Sequence, residues 1–208
     1  MSTCSTRAWL AAGTMAAAML LLQGCAETVI AVGAGAAVMS ATDRRSTGAQ
    51  VDDEGIELRV TNRIDDRFGG KVHVNVTSFN YAVLLTGEVP DANTRAEVEK
   101  IARGAPGVRN VYNETQVAGV SSFGARTNDS YLTSKVKARF IDLGHFSANH
   151  VKVVTEASVV YLMGIVTEAE ATDAVKIART TDGVLKVVKI FEYCSPGKPP
   201  CESAQKGS

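Results

Sequence analysis

The chain has no excess of either charge and no basic block: 22 Lys and Arg stand against 22 Asp and Glu in 208 residues. That balance removes the electrostatic footprint of a nucleic-acid binder, and neither zinc-finger spacing nor an aromatic ribonucleoprotein motif is present. Catalytic patterns are missing as well, with no Ser/His/Asp order, nucleophile elbow or phosphate-cradling glycine loop. Of the three histidines, His73 alternates with Val72 and Val74, which predicts a solvent-facing strand position. His145 and His150 stand five apart in an irregular segment without a third metal ligand. No enzyme activity, metal or cofactor is expected. Glu97, Glu99, Glu168 and Glu170 read most simply as solvated helix faces. No apolar run has the length of a bilayer span either, since Trp9 to Leu22 falls short of about 20 residues.

That short run has another reading. Arg7 supplies a positive n-region, Trp9 to Leu22 an apolar h-region, and small Gly24 precedes Cys25 where a cleavage site is expected. The segment Leu21-Leu22-Gln23-Gly24-Cys25 resembles the lipobox of bacterial lipoproteins, in which the cysteine is acylated and becomes the first residue. The alternative is an uncleaved membrane anchor. The resemblance implies export, lipidation at Cys25 and, with Ala26 rather than aspartate following, an outer-membrane location facing the periplasm. Cys4 leaves with the leader, so Cys194 and Cys201 remain, bracketing a turn-rich Ser-Pro-Gly-Lys-Pro-Pro in an oxidising compartment. A small disulfide loop and two free thiols in a flexible tail are the two readings.

The mature chain contains an internal repeat. Without a gap, Val74, Val76, Val83, Leu85 and Gly87 match Val151, Val153, Val160, Leu162 and Gly164. After a one-residue slip, Ile101-Ala102-Arg103 matches Ile177-Ala178-Arg179, and Gly107-Val108 matches Gly183-Val184. Upstream, Ile56, Val60 and Ile64 match Leu132, Val136 and Phe140 at helical spacing. Each copy predicts a helix, a strand of alternating valines, a turn (Ser78-Phe79-Asn80 or Glu156-Ala157-Ser158) and a second strand (Ala82 to Gly87 or Val159 to Gly164). A longer helix follows (Asp91 to Gly104 or Glu168 to Thr180), then a last strand (Val108 to Val117 or Val184 to Tyr193). Gly87 and Gly164 fall inside strands, where a bulge or a close helix approach would explain them. Gly107 and Gly183 suit a backbone with φ > 0. The fold class is α+β: two tandem αββαβ units, each a three-stranded mixed sheet packed against two helices. A unit of this size is marginal alone, burying about 60% of its unfolded surface, and mutual packing of the copies would relieve that.

This pattern, V-x-V, then V-x-L-x-G-x-V, then a helix ending in I-A-R and a G-V strand start, resembles the BON domain. Two such modules behind a lipobox resemble the dual-BON outer-membrane lipoprotein family called DolP, formerly YraP. Leu20–Cys25, Thr47–Asp53, Val111–Glu114 and Asn128–Val136 carry the closer likeness. The resulting division is leader 1–24, lipidated tether and linker 25–50, BON domain 1 over 51–118, interdomain linker 119–127, BON domain 2 over 128–193 and a flexible tail 194–208. The tail from Cys194 lies outside the resemblance. The resemblance implies a non-enzymatic protein that maintains the outer-membrane barrier, gathers at the division site and binds anionic phospholipid through the first helix of its second domain.

On that helix Leu132, Val136 and Phe140 are expected to face the sheet. Tyr131, Ser134, Lys135 and Ala138, with Ile141 toward the end, are left for the membrane, an aromatic ring among acyl carbons and a lysine beside phosphate. Lys137 and Arg139 add attraction to an anionic surface, about 1 kcal/mol per charge. In the first module Gly55 aligns with Tyr131, and Asp65 and Asp66 close the helix, so the second module is favoured. Well-known family members carry Trp at the position of Tyr131, and Tyr offers less buried area. Gly124 and Asn128 either shape a loop by the head group or belong to a plain linker ending at an N-capping Asp129 or Ser130. The competing reading is a periplasmic scaffold that grips outer-membrane assembly proteins.

Overall fold

The computed structural model describes residues 43–201. The leader, Cys4, Cys25, the tether up to residue 42 and residues 202–208 lie outside the described residues. Both copies of the repeat take the order helix, strand, strand, helix, strand. In the first, α1 (Thr47–Phe68) and a 3-10 turn (Gly69–Lys71) lead into β1 (His73–Phe79), β2 (Ala82–Val89), α2 (Ala92–Arg103), β3 (Asn110–Asn113) and β4 (Gln116–Val117). In the second, α3 (Phe123–Leu143) and a 3-10 turn (Ala148–His150) lead into β5 (Val151–Glu156), β6 (Val159–Val166), α4 (Glu168–Arg179) and β7 (Lys186–Tyr193). The first strands of each module pair antiparallel, β1 with β2 and β5 with β6. Crossing over through a helix then brings β3 and β7 in parallel to β2 and β6. The expected last strand of the first module is broken at Glu114-Thr115, and its second piece, β4, rejoins β2 at Glu88 and Val89.

The helices of each module cover one sheet face. Ile56, Val60 and Ile64 of α1 and Val98 and Ala102 of α2 pack on Val83, Leu85 and Val89. Val136 and Phe140 with Ala171, Ala174, Ile177 and Ala178 do the same on Val151, Val153, Val160 and Leu162. The opposite faces meet each other. Phe79, Ala82 and Leu84 of the first module share one apolar layer with Tyr161, Met163, Ile165 and Ile190 of the second. Hence β2 is buried along its entire length, alternate residues facing helices and neighbouring sheet. Polar contacts rim this layer: Lys152 donates to Glu57 Oε1 and Ser78 O (2.8 and 3.1 Å), Asn75 to Glu156 (2.8 Å) and Asn80 to Glu192 (2.8 Å). Two marginal units thus complete each other's burial.

The first hairpin is closed one residue later than expected, by Asn80-Tyr81, and the second within the expected turn, by Ala157-Ser158; all four residues have positive φ (50° and 68°, 49° and 60°). Two-residue loops of this hand match the strand twist but normally recruit glycine or asparagine, and of the four residues here only Asn80 is of that kind. A buried aspartate on the first helix of each module stabilises them instead. Asp53 accepts from the amides of Asn80 and Tyr81 (2.7 and 2.8 Å) and from Ser78 Oγ (2.7 Å). Asp129 accepts from Ala157 and Ser158 (2.9 and 2.8 Å). Asp129 is therefore not an N-cap, and neither is Ser130.

Glycines serve two close approaches. A Cβ at Gly87 would collide with the carbonyl oxygen of His73 on the neighbouring strand, and one at Gly164 with that of His150 just before the neighbouring strand; neither meets an α-helix. Gly107 and Gly183 (φ 90° and 94°) lie against Ile56 and Leu132, where a Cβ would stand 3.3 and 2.8 Å from their side chains.

Residues 43–50, read as linker, are ordered. Ser46 caps α1, its Oγ accepting from Ala49 N, and Arg44 reaches the second module. Its guanidinium grips Glu170 (2.6 and 3.0 Å) and donates to Ile165 O (2.9 Å). Glu170 is thus no solvated carboxylate. It completes the capping box with Thr167 and also meets His150 Nδ1 at 3.2 Å. Burial by itself would raise the Glu170 pKa, but Arg44 and the Thr167 amide and hydroxyl outweigh it and hold the group at about 2.

Two outcomes follow for stability. Asp129→Ala leaves two amides of a positive-φ turn without their charged acceptor, and urea denaturation is expected to show a loss of about 3 kcal/mol. Because the folded-state pKa of Glu170 is depressed, its contribution is present above pH 4.5 and lost as pH falls toward about 2. Thermal melts across that window are expected to fall more steeply for wild type than for Glu170→Gln.

Candidate functional site

Helix α3 starts five residues earlier than the linker reading allowed. Ser122 is its N-cap, Oγ accepting from Ala125 N at 3.2 Å, and Gly144 ends it in the left-handed region. Gly124 and Asn128 accordingly sit within the helix, not in a loop. Leu132, Val136 and Phe140 are buried with Asp129. At 100° per residue, Gly124, Asn128, Tyr131, Ser134, Ala138 and Ile141 fall within an arc of about 140° on the other side, and all six are exposed. Tyr131 is 62% and Ile141 69% accessible. The two lie about 15 Å apart along the axis.

The hydroxyls of this helix are satisfied internally. Thr127, Ser130 and Ser134 donate to the carbonyls four residues back, at 3.0, 3.1 and 3.1 Å. Such back-bonding lets a polar side chain enter a less polar medium without losing a water partner. The surface is consequently more amphipathic than its composition suggests.

The cations are placed differently from the expectation. Lys135 and Arg139 lie on the flank toward α4 and tie the two helices together. Lys135 Nζ donates to Asp182 O (3.0 Å) and stands 5.9 Å from the Tyr131 ring centre. Arg139 donates to Ile177 O and Thr181 Oγ1 (both 2.7 Å) and to Thr180 Oγ1 (3.1 Å), where the last carbonyls of α4 carry partial negative charge. Arg139 is committed to holding the fold. The first module repeats the device, with Arg59 donating to Pro106 O and Arg63 to Gly104 O. Lys137 is exposed on the helix, as is Arg126 near its start.

Two exposed apolar residues escaped the sequence reading, Phe123 (80% accessible) at the start of α3 and Leu185 (81%) at the approach to β7. Leu185 follows the Asp182-Gly183 turn that Lys135 and Leu132 contact, so it belongs to the same end of the module as Tyr131. The repeat alignment held a signal for it, since the aligned residue in the first module is Arg109, whose guanidinium lies over the Tyr81 ring.

The histidines all have carboxylate neighbours. His73, expected to face solvent, is half-buried with Nδ1 3.0 Å from Glu88 Oε2, and His145 meets Asp173 at 3.2 Å. Burial, then the Arg44 charge, lowers the His150 pKa. Cys194 and Cys201 form a disulfide, with Cα atoms 5.8 Å apart. The turn between them is closed by Gly197 N to Cys201 O and Cys201 N to Lys198 O, and Cys201 is buried. Residues 194–201 are thus a defined loop, not a flexible tail. Among the described residues no helix is long and apolar enough to cross a membrane.

Tandem αββαβ units, joined through their sheets and helix-covered outside, define a two-module BON protein. The BON domain family matches residues 52–119 and 128–194. Outer membrane lipoprotein DolP of Haemophilus influenzae is 42% identical over 178 residues, covering 85% of this chain and 92% of that protein. The 21 kDa hemolysin of Actinobacillus pleuropneumoniae is 35% identical over 153 residues, 73% of this chain and 79% of its own. Osmotically-inducible protein Y of Escherichia coli is 31% identical over 144 residues, 67% and 72%. The chain belongs to the DolP family of dual BON-domain outer-membrane lipoproteins.

The Arg139 contacts give a direct expectation. Arg139→Ala should destabilise the protein by about 2 kcal/mol through loss of charge-assisted bonds. Arg139→Lys should recover only part, because one ammonium cannot span a carbonyl and two hydroxyls; denaturant midpoints measure both.

Proposed function

We propose that the protein binds anionic phospholipid through the outward face of α3, and that this recognition positions an acyl-anchored lipoprotein within the outer membrane. Acyl chains on Cys25 supply residence, at about 0.8 kcal/mol per buried CH₂. In this reading the folded domains face the periplasm and add selectivity for charged head groups. The role is binding without catalysis, in support of outer-membrane integrity and with accumulation at the division site.

The observation that carries this reading is the contrast between equivalent faces of the two modules. In α3 the exposed stripe presents Tyr131, Ala138 and Ile141 with internally satisfied hydroxyls and Lys137 alongside. In α1 the equivalent positions are Gly55, Asn62 and Asp65. An amphipathic ring and an isoleucine can each gain about 1.5–3 kcal/mol on leaving water, whereas the first module would bring an acid to an anionic surface. Leu185 extends the apolar part beyond the helix.

Sedimentation with liposomes tests the proposal, using protein carrying Cys25→Ser so that no acyl chain contributes. Association is expected to rise with the anionic lipid fraction and fall with salt. Tyr131→Glu and Ile141→Glu are each expected to weaken it by about tenfold or more, while Asp65→Asn leaves it unchanged. Indifference of the wild-type domains to anionic content at low salt would reject lipid as the ligand. The periplasmic scaffold reading would then gain if Tyr131→Glu abolished capture of an outer-membrane assembly protein.

A further inference from the structure

At the junction of the modules, three side chains from three strands converge. His73 and Glu88 are cross-strand partners on β1 and β2, and Glu156 ends β5 in the other module. One ligand atom from each lies within 4.8 Å of the others. Glu88 and Glu156 are only 7% and 6% accessible, so two carboxylates are withdrawn from water beside a single imidazole. Each is already oriented: the Ser121 amide donates to Glu88 Oε2 (3.2 Å) and Asn75 Nδ2 to Glu156 Oε2 (2.8 Å). The Ser121 hydroxyl is buried and has no hydrogen-bond partner. A cleft of about 570 Å³, lined by His73, Asn75, Arg126, Ser130 and Glu156 among others, connects the cluster to solvent.

We infer that His73, Glu88 and Glu156 form a binding site for a divalent transition cation of the zinc class, which would bridge the two BON domains. One imidazole nitrogen and two carboxylate oxygens suit such an ion better than calcium or magnesium, which prefer oxygen alone. Bonds of about 2.0–2.2 Å place neighbouring ligand atoms roughly 3.4 Å apart around a tetrahedral ion. The His73 and Glu88 atoms are 3.0 Å apart, so closure asks for a small rotamer adjustment, chiefly of Glu156. The cleft leaves a fourth position for water. Two buried carboxylates match the charge of the ion, whereas one imidazolium would neutralise only half of theirs. The donors from Ser121 and Asn75 are the outer partners that fix ligand orientation in such sites.

Arg126 Nη1 lies 3.4 Å from His73 Nε2, and a guanidinium only donates, so Nε2 is the acceptor and Nδ1 carries the proton toward Glu88. Coordination through Nδ1 forms one nitrogen–metal bond, and the displaced proton is taken up at Nε2, so His73 stays a neutral imidazole and no net proton leaves it. The exposed Arg126 side chain is free to turn outward as the ion enters.

The test uses the intact lipoprotein in detergent. Titration with Co²⁺ is expected to give visible absorption of a low-coordinate site at one equivalent per chain. Zn²⁺ should displace it and raise the melting temperature. His73→Gln and Glu156→Gln should each weaken Zn²⁺ binding by more than about tenfold, beyond what loss of an outer partner costs. Circular dichroism checks that they remain folded. Wild type giving neither the Co²⁺ band nor the Zn²⁺ melting shift would overturn the inference, whatever the variants do. Equal binding by both variants would overturn it too, placing the ion at another site such as His145 with Asp173.

Discussion

In each module a carboxylate on the first helix reaches under a hairpin whose two central residues have left-handed backbone conformations without being glycine. Left-handed geometry costs an ordinary residue about 1–2 kcal/mol, and neighbouring amides in that geometry point the same way. Asp53 and Asp129 answer both conditions by accepting two amides at once. Because each aspartate is rooted in a helix, the contact sets both the turn and the rotation of that helix about its axis. With Asp129 inward, Leu132, Val136 and Phe140 follow it into the core, and Tyr131 and Ile141 have no choice but to face out. The proposed lipid face is thus fixed from behind by a turn it never touches.

The second organising contact is the meeting of the sheets. Helices protect only one face of a three-stranded sheet, and the exposed remainder is apolar in both modules. Placing Leu84 and Phe79 against Met163 and Tyr161 removes both faces from water together. Tyr161 shows how complete this is: burial, with the nearby carboxylates of Glu114 and Glu156, raises its pKa to about 12. The edge of this layer is where polar groups collect, and the His73, Glu88 and Glu156 cluster lies there because strand alternation aims all three toward the seam. The outward helix faces are left free for other surfaces, so the internal joint and the external face do not compete.

Much of this was legible in the residues. Hydrophobic periodicity placed the buried stripes of α1 and α3, and the gapless match from Val74 to Gly87 against Val151 to Gly164 identified both hairpins. The exposed set around Tyr131 followed from the same periodicity. Polar side chains were harder to read. Asp129 looked like a cap because caps are the local use of aspartate, while its real partners lie 28 and 29 residues away. Arg139 and Lys135 looked like membrane cations because spacing alone does not reveal α4 beside them. Arg44 looked like linker because Glu170 is 126 residues distant.

The sequence by itself determined the doubled αββαβ order, the family to which it belongs and which helical stripes are apolar, since these depend on periods of two and 3.6 residues along one segment. Tertiary structure alone decided that the sheets face each other, that aspartates hold the turns, that Arg139 serves the fold, and that an imidazole and two glutamates meet at the seam. Each of those depends on groups far apart in the chain, and a charged side chain has no orientation until the partners that stabilise it are in place.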